Sequence, residues 1–134
     1  MKHIRRLTRI AAFKIIFQRL HLGIQNTTEE EILEKLKKQP KNYEFSLNLI
    51  DAAWKNKRFI EERINEYSRI KRSRSSSMQA ILLISAAEFI YNTETPPKVI
   101  INEAIELCRE YSNGNHAGYC NSVLDNFWKD FRDE

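Results

Sequence analysis

The hydrophobic pattern changes character once along the chain. In Met78–Tyr91, MQAILLISAAEFIY, the residues Ile81, Leu82, Leu83, Ile84, Ala86, Ala87, Phe89 and Ile90 surround a helical wheel, and a helix apolar on every side has to lie inside something. The stretch falls short of the roughly 20 residues that a membrane span requires, and Gln79, Ser85 and Glu88 interrupt it, so it predicts a buried core helix. The run Thr93-Glu94-Thr95-Pro96-Pro97 then breaks the chain. The two prolines cannot continue one helix but suit the opening of the next, with Thr95 as N-cap of a helix over Pro97–Tyr111.

The segments around this helix are amphipathic. His3–Leu22 predicts a first helix: at about 100° per residue Ile4, Leu7, Ala11 and Ile15 share one side. Lys2, Arg5, Arg6 and Arg9 share an arc on the other, continued by Phe13 and Ile16 with Phe17 beside them. Gly23–Asn26 stops that helix, and Thr27 or Thr28 caps a second one reaching Gln39, acidic at its start and basic at its end through Lys35, Lys37 and Lys38. Pro40 ends it. Tyr43, Leu47, Ile50 and Trp54 form the apolar stripe of a third helix to Lys55, and after Asn56 and Lys57 a fourth carries Phe59, Ile60, Ile64 and Tyr67 toward Ile70. Lys71–Ser77, KRSRSSS, is a polar link whose serines can cap the central helix.

Beyond the prolines, Val99, Ile100, Ile101, Ala104, Ile105 and Cys108 give a sixth helix a wide apolar face. Asn113-Gly114-Asn115 predicts a loop with left-handed backbone, and a seventh helix over His116–Phe131 buries Tyr119, Val123, Leu124, Phe127 and Trp128. Seven helices with short connections imply an all-α fold, a compact bundle in one domain. The composition agrees: 134 residues with 42% hydrophobic content can build a core unaided, and three glycines and three prolines are few.

Charge adds little by its total and more by its placement. Twenty-two basic against 18 acidic residues leave a formal +4, which matters only where the cations cluster, as they do in the first helix. Cations hold phosphates and a ring can stack on an unpaired base, so this stripe suits single-stranded nucleic acid. Taken alone it also suits a solvated helix face above a core that takes the phenylalanines, and on the residues alone that is the stronger reading. Cys108 and Cys120, the only cysteines, fit reduced thiols better than a disulfide framework. The N-terminus, MKHIRRLTRI, has positive charge but no uninterrupted apolar region before a small-residue cleavage site, so a cytoplasmic protein is expected.

Catalytic signatures are missing from the sequence: no Gly-rich phosphate loop, no GxSxG and no HExxH. His116 and Cys120 lie four apart with Cys108 upstream, too few ligands for zinc, and neither a metal nor a cofactor is expected. Glu103 and Glu106 lack a nearby base or nucleophile; Glu103 reads as helix-dipole and cap chemistry and Glu106 as a solvated position.

Two blocks, Pro97–Leu107 (PKVIINEAIEL) and Tyr119–Asp125 (YCNSVLD), resemble the C-terminal signature of the NusB family of bacterial transcription antitermination factors. An Arg-rich first helix, an apolar helix ending in Glu88-Phe89-Ile90-Tyr91 and the proline hinge follow in the family's order. The resemblance implies two packed helical subdomains, roughly 1–55 and 56–134. It also implies a role without catalysis: binding of boxA-type single-stranded RNA in nascent ribosomal transcripts together with NusE, a small-subunit ribosomal protein. That assembly belongs to the RNA polymerase antitermination complex. The family's basic patch falls on Arg5, Arg6 and Arg9, with Lys2 and His3 on a leading arm, and its second RNA surface falls on Asn115, His116 and Tyr119; Phe13 and Tyr119 offer stacking faces.

The sequence departs from the family in two places. Asn115-His116-Ala117-Gly118 stands where the family shows Asp-Ser-His-Lys, and Met78, Gln79 and Leu83 stand where charged contacts to NusE are expected. Alternatives are a detached RNA-targeting domain like that of ribosomal-RNA cytosine methyltransferases, or an interaction module such as a homodimer.

Overall fold

A computed structural model describes residues 2–21, 27–67, 75–92 and 94–133, the first three by backbone alone. The described residues form α1 (Lys2–Leu20), α2 (Glu29–Glu34), α3 (Pro40–Lys55), α4 (Lys57–Tyr67), α5 (Ser76–Tyr91), α6 (Pro97–Tyr111), a single 3-10 turn (Gly114–His116) and α7 (Ala117–Arg132), and contain no strand. The expected stop at Gly23–Asn26, the approach to Ile70, most of the Lys71–Ser77 link and the side chains of Lys2, His3 and Ile4 lie outside the described residues.

Helix α5 is the core, as its all-round apolarity predicts. Met78 and every residue from Ala80 to Phe89 are buried, and α1, α3, α4, α6 and α7 all pack on it. Ser75 caps it: the hydroxyl accepts from the Met78 N–H at 3.2 Å, satisfying one of the donors a helix start leaves open. Glu88 is buried with the rest, so the core helix carries a charge into the interior and needs a cation there. On the α7 side, Phe89 and Phe127 stack at 6.3 Å between centroids, Phe127 and Phe131 at 6.0 Å, and Trp128 lies 5.5 Å from Phe89. Tyr119 and Trp128 are half-buried rather than enclosed. No helix among the described residues is long and apolar enough to cross a membrane.

Several helix faces are turned from where large residues alone place them. On α1 the expected apolar side fails at Leu7, which is 47% exposed, while Thr8, Arg9, Ala11, Ala12, Phe13, Ile15 and Ile16 are buried. On α3 Leu47 and Trp54 are exposed, and the buried face is Phe45, Ser46, Leu49, Ile50 and Ala53. The cause is the same in both. Both helices pack on α5 and on each other, and a helix wedged between two neighbours approaches them through small residues, Thr8 and Ala12 or Ser46 and Ala53. A periodicity count weighted to large side chains passes over such residues.

The element ends also differ in detail. Pro40 opens α3 rather than merely closing α2, because a proline at the first helical position sacrifices an N–H that has no partner anyway. Thr28 is the N-cap of α2, accepting from the Glu31 N–H at 3.1 Å, but that helix ends at Glu34 and continues as turns. Thr95 does not cap α6. Its hydroxyl accepts from the Asn92 side chain at 2.7 Å, and Pro96 is the N-cap residue, its carbonyl accepting from Val99 at 3.0 Å. No described residue has positive φ, so Gly114 opens a 3-10 turn and not a left-handed loop.

Candidate nucleic-acid interface

Helices α1 and α6 border a groove of about 710 Å³, lined by Arg5, Arg6 and Arg9, by Asn92, Glu94, Thr95 and Pro96 of the hinge, and by Val99, Asn102, Glu103, Ile105, Glu106 and Arg109 of α6. The three arginines of the sequence stripe therefore meet at one site, in three different states.

Arg9 is structural. Only 6% exposed, it grips Glu88 with both arms of its fork, Nε to Oε1 at 2.7 Å and Nη2 to Oε2 at 2.6 Å, and Nη1 lies 3.8 Å from Glu103. Burial works against its charge, but the hydrogen bonds and charge of Glu88, then the charge of Glu103, outweigh it and raise the pKa. This corrects the expectation of a solvated, phosphate-facing Arg9: its charge is matched inside the fold. Arg6 is shared. Its Nε donates to Glu103 at 3.0 Å, yet its side chain is 52% exposed against 12% for Glu103. Arg5 is half-buried with its guanidinium 3.9 Å above the Phe45 ring, a cation–π arrangement, and its Nη1 has no hydrogen-bond partner among the described residues.

Glu103 thus answers two arginines of α1 and is no helix cap; it sits beyond the first turn of α6. Glu106 is exposed, as expected, and accepts from Arg109 at 2.9 Å. Arg109 leads onward, since its Cγ lies 3.9 Å from where a Cβ on Gly114 would stand. There the 3-10 turn is held by Asn113, whose side chain accepts from the Asn115 N–H at 2.9 Å and whose carbonyl accepts from the His116 N–H at 2.8 Å and the Cys108 thiol at 3.2 Å. Asn115 and His116 are exposed on this turn, and Tyr119 is half-buried in the first turn of α7.

Phe13 offers no stacking face. It is 3% exposed, with Tyr111 and Phe17 at 5.1 and 6.0 Å, because the arc it shares with the arginines turns into the core one helical turn later. The exposed ring near the arginines is Tyr91, 5.9 Å from Phe45 and accepting at its hydroxyl from Asn48 at 3.0 Å. Sequence reasoning had also passed over Arg109, Asn92 and Asn102. For Arg109 a signal existed: Glu103, Glu106 and Arg109 recur every third residue and so share a face of α6. For Asn92 and Asn102 none did. Among the described residues no cluster of His, Cys, Asp or Glu could hold a metal ion. Cys108 and Cys120 are free and buried, and burial, with the nearby Cys108, pushes the Cys120 thiol up to about 12.

Residues 6–129 match the sequence model of the NusB family. The chain belongs to the NusB family. The transcription antitermination protein NusB of Staphylococcus carnosus is 35% identical over 127 residues, 91% of this chain and 97% of that protein. That of Desulfovibrio desulfuricans is 36% identical over 83 residues, 60% of this chain and 51% of that protein, so the match spans about half of the relative's length. Among solved structures, T. maritima NusB superposes with a TM-score of 0.76 at 28% identity, covering 93% of this chain and 90% of that one. A complex of antitermination factors NusB and NusE with double-stranded RNA contains a chain matching at TM-score 0.80 and 22% identity, covering 97% of this chain and 99% of that one, a likeness of fold.

Within the NusB-like fold, the positions expected to touch NusE are not all on the surface. Met78 and Leu83 are buried in α5 and Gln79 is half-buried, hydrogen-bonded to Glu61. Met78 and Leu83 are thus taken up by the core, where a charge would have needed a partner.

Proposed function

We propose that this NusB-family chain is a transcription antitermination factor that binds boxA-type single-stranded RNA of nascent ribosomal transcripts together with NusE, within the RNA polymerase antitermination complex. It acts in the cytoplasm by binding, without catalysis or cofactor. The observation that carries this reading is the groove between α1 and α6, where the cations Arg5, Arg6 and Arg109 lead to the exposed Asn115 and His116. Arg5 and Arg6 take phosphates, with Lys2, the first residue of α1 and not part of a separate arm, joining them. Arg6 has half its surface in solvent, and Arg5 lines the groove beside it. Arg9 sets the position of the groove wall, and Asn115, His116 and Tyr119 form the far edge. The subdomains, roughly 1–55 and 56–134, meet on α5.

Titration of a labelled boxA-type RNA at two salt concentrations, with and without NusE, tests this. The expected result is salt-sensitive binding that NusE tightens. An RNA-independent homodimer that hides Arg5 and Arg6, or no binding in any condition, contradicts it.

A further inference from the structure

One charge network, joining α1 to α5 and α6 beside the groove, is balanced before any ligand arrives. Arg6 and Arg9 carry two positive charges, and Glu88 and Glu103 two negative ones, all joined by contacts of 2.6 to 3.8 Å. Glu88 is fully engaged by Arg9, whose fork it fills. Glu103 is held by fewer bonds than Glu88. It holds Arg6 by one charge-assisted bond and stands at 3.8 Å from Arg9, beyond hydrogen-bond distance.

From this we infer that Glu103 is an internal competitor for the RNA phosphate at Arg6, a positioning residue that holds RNA affinity below what the arginines alone could give. A phosphate approaching Arg6 needs the planar pair of donors that a carboxylate also prefers, and Glu103 already occupies the Nε side of that pair. Binding therefore exchanges an intramolecular anion for an RNA one, and only the surplus appears as affinity. When Arg6 turns to RNA, Glu103 keeps Arg9 as a neighbouring cation, so the released carboxylate is not stranded at 12% exposure. That fallback makes the exchange reversible. It also makes Arg6 selective for a dense anion: a lone weak anion cannot displace a carboxylate tethered beside it, whereas a phosphodiester chain held also at Arg5 can.

The inference rests on the RNA reading above, and its test separates the two. Fluorescence anisotropy with a labelled boxA-type single-stranded RNA is run on the wild type, Glu103→Gln, Arg6→Ala, the double variant and Glu62→Gln. The expected result is binding about three- to five-fold tighter for Glu103→Gln, the range a partly exposed ion pair can withhold. In the Arg6→Ala background the same change has no effect, and Glu62→Gln, which neutralises an exposed acid bound to Arg58 on α4, outside the groove, leaves affinity within about two-fold. Unchanged or weaker binding by folded Glu103→Gln overturns the inference, as does equal tightening in the Arg6→Ala background or by Glu62→Gln. Should Glu103→Gln not fold, the Arg6 Nε–H resonance of the wild type decides: a shift on RNA saturation supports the exchange, and an unmoved resonance overturns it. A wild type that binds no RNA contradicts the functional reading as well.

Discussion

Arg9 and Arg6 stand one turn apart on the same helix and do opposite work. At the seam where α1 crosses α5, Arg9 is sealed against Glu88; at the edge where α1 faces α6, Arg6 is half in water and Glu103 holds it by one bond. The difference is burial, not residue type. In the seam the pair is screened little and neither charge can be left alone, whereas at the edge water competes for both partners. A run of arginines in a sequence is therefore not yet a nucleic-acid surface. Each cation has to be sorted by whether the fold has already matched it.

Breaking the seam should give the largest effect. Arg9→Ala leaves Glu88 buried without its cation and should cost about 3–5 kcal/mol in urea unfolding, while Arg9→Met combined with Glu88→Leu should recover most of the loss. Failure of the double variant to recover would mean that packing, not the stranded charge, sets the cost. Next comes the cap of the seam helix. Ser75→Ala should cost about 1 kcal/mol by the same assay, because the Met78 N–H loses its acceptor. At the edge, Arg6→Ala should change stability by no more than about 0.5 kcal/mol while weakening RNA binding, which inverts the order found at the seam.

A surface hydroxyl gives the smallest effect, visible only in alkali. Burial first, then the hydrogen bond to Asp130 at 2.6 Å, pushes Tyr67 up to about 12. A group whose folded pKa is raised stabilises fully below its unfolded value, about 10 for tyrosine, and loses that contribution as pH climbs through the folded value. The melting-temperature advantage of wild type over Tyr67→Phe should therefore be constant up to about pH 9 and shrink between pH 10 and 12. An advantage independent of pH would rule the hydroxyl out as its source.

The sequence made the seven helices legible because their ends are marked by Thr28, Pro40, Asn56, Ser75 and the Pro96-Pro97 pair, and because α5 is apolar on every side. Helix rotation was harder to read. Leu7, Leu47 and Trp54 look like core residues until α1 and α3 are packed through Ala12, Ser46 and Ala53, and nothing in a single chain announces which small residue meets which neighbour. The site was half legible for the same reason. The basic arc located the groove, but Arg9 and Phe13 could be removed from the candidates only once Glu88 and Tyr111 were seen against them. Glu103 was missed as a partner because its arginine lies 97 positions away in the chain.

The measurement that bears most directly on the account is the salt dependence of RNA affinity for the wild type and for an Arg5→Ala, Arg6→Ala double variant. Loss of two phosphate contacts should flatten the slope of log K against log salt by about 1.4, at about 0.7 per contact for a single strand, and weaken binding at every salt concentration. A double variant that folds and keeps the wild-type slope and affinity would contradict the claim that the α1 edge is where this protein meets RNA.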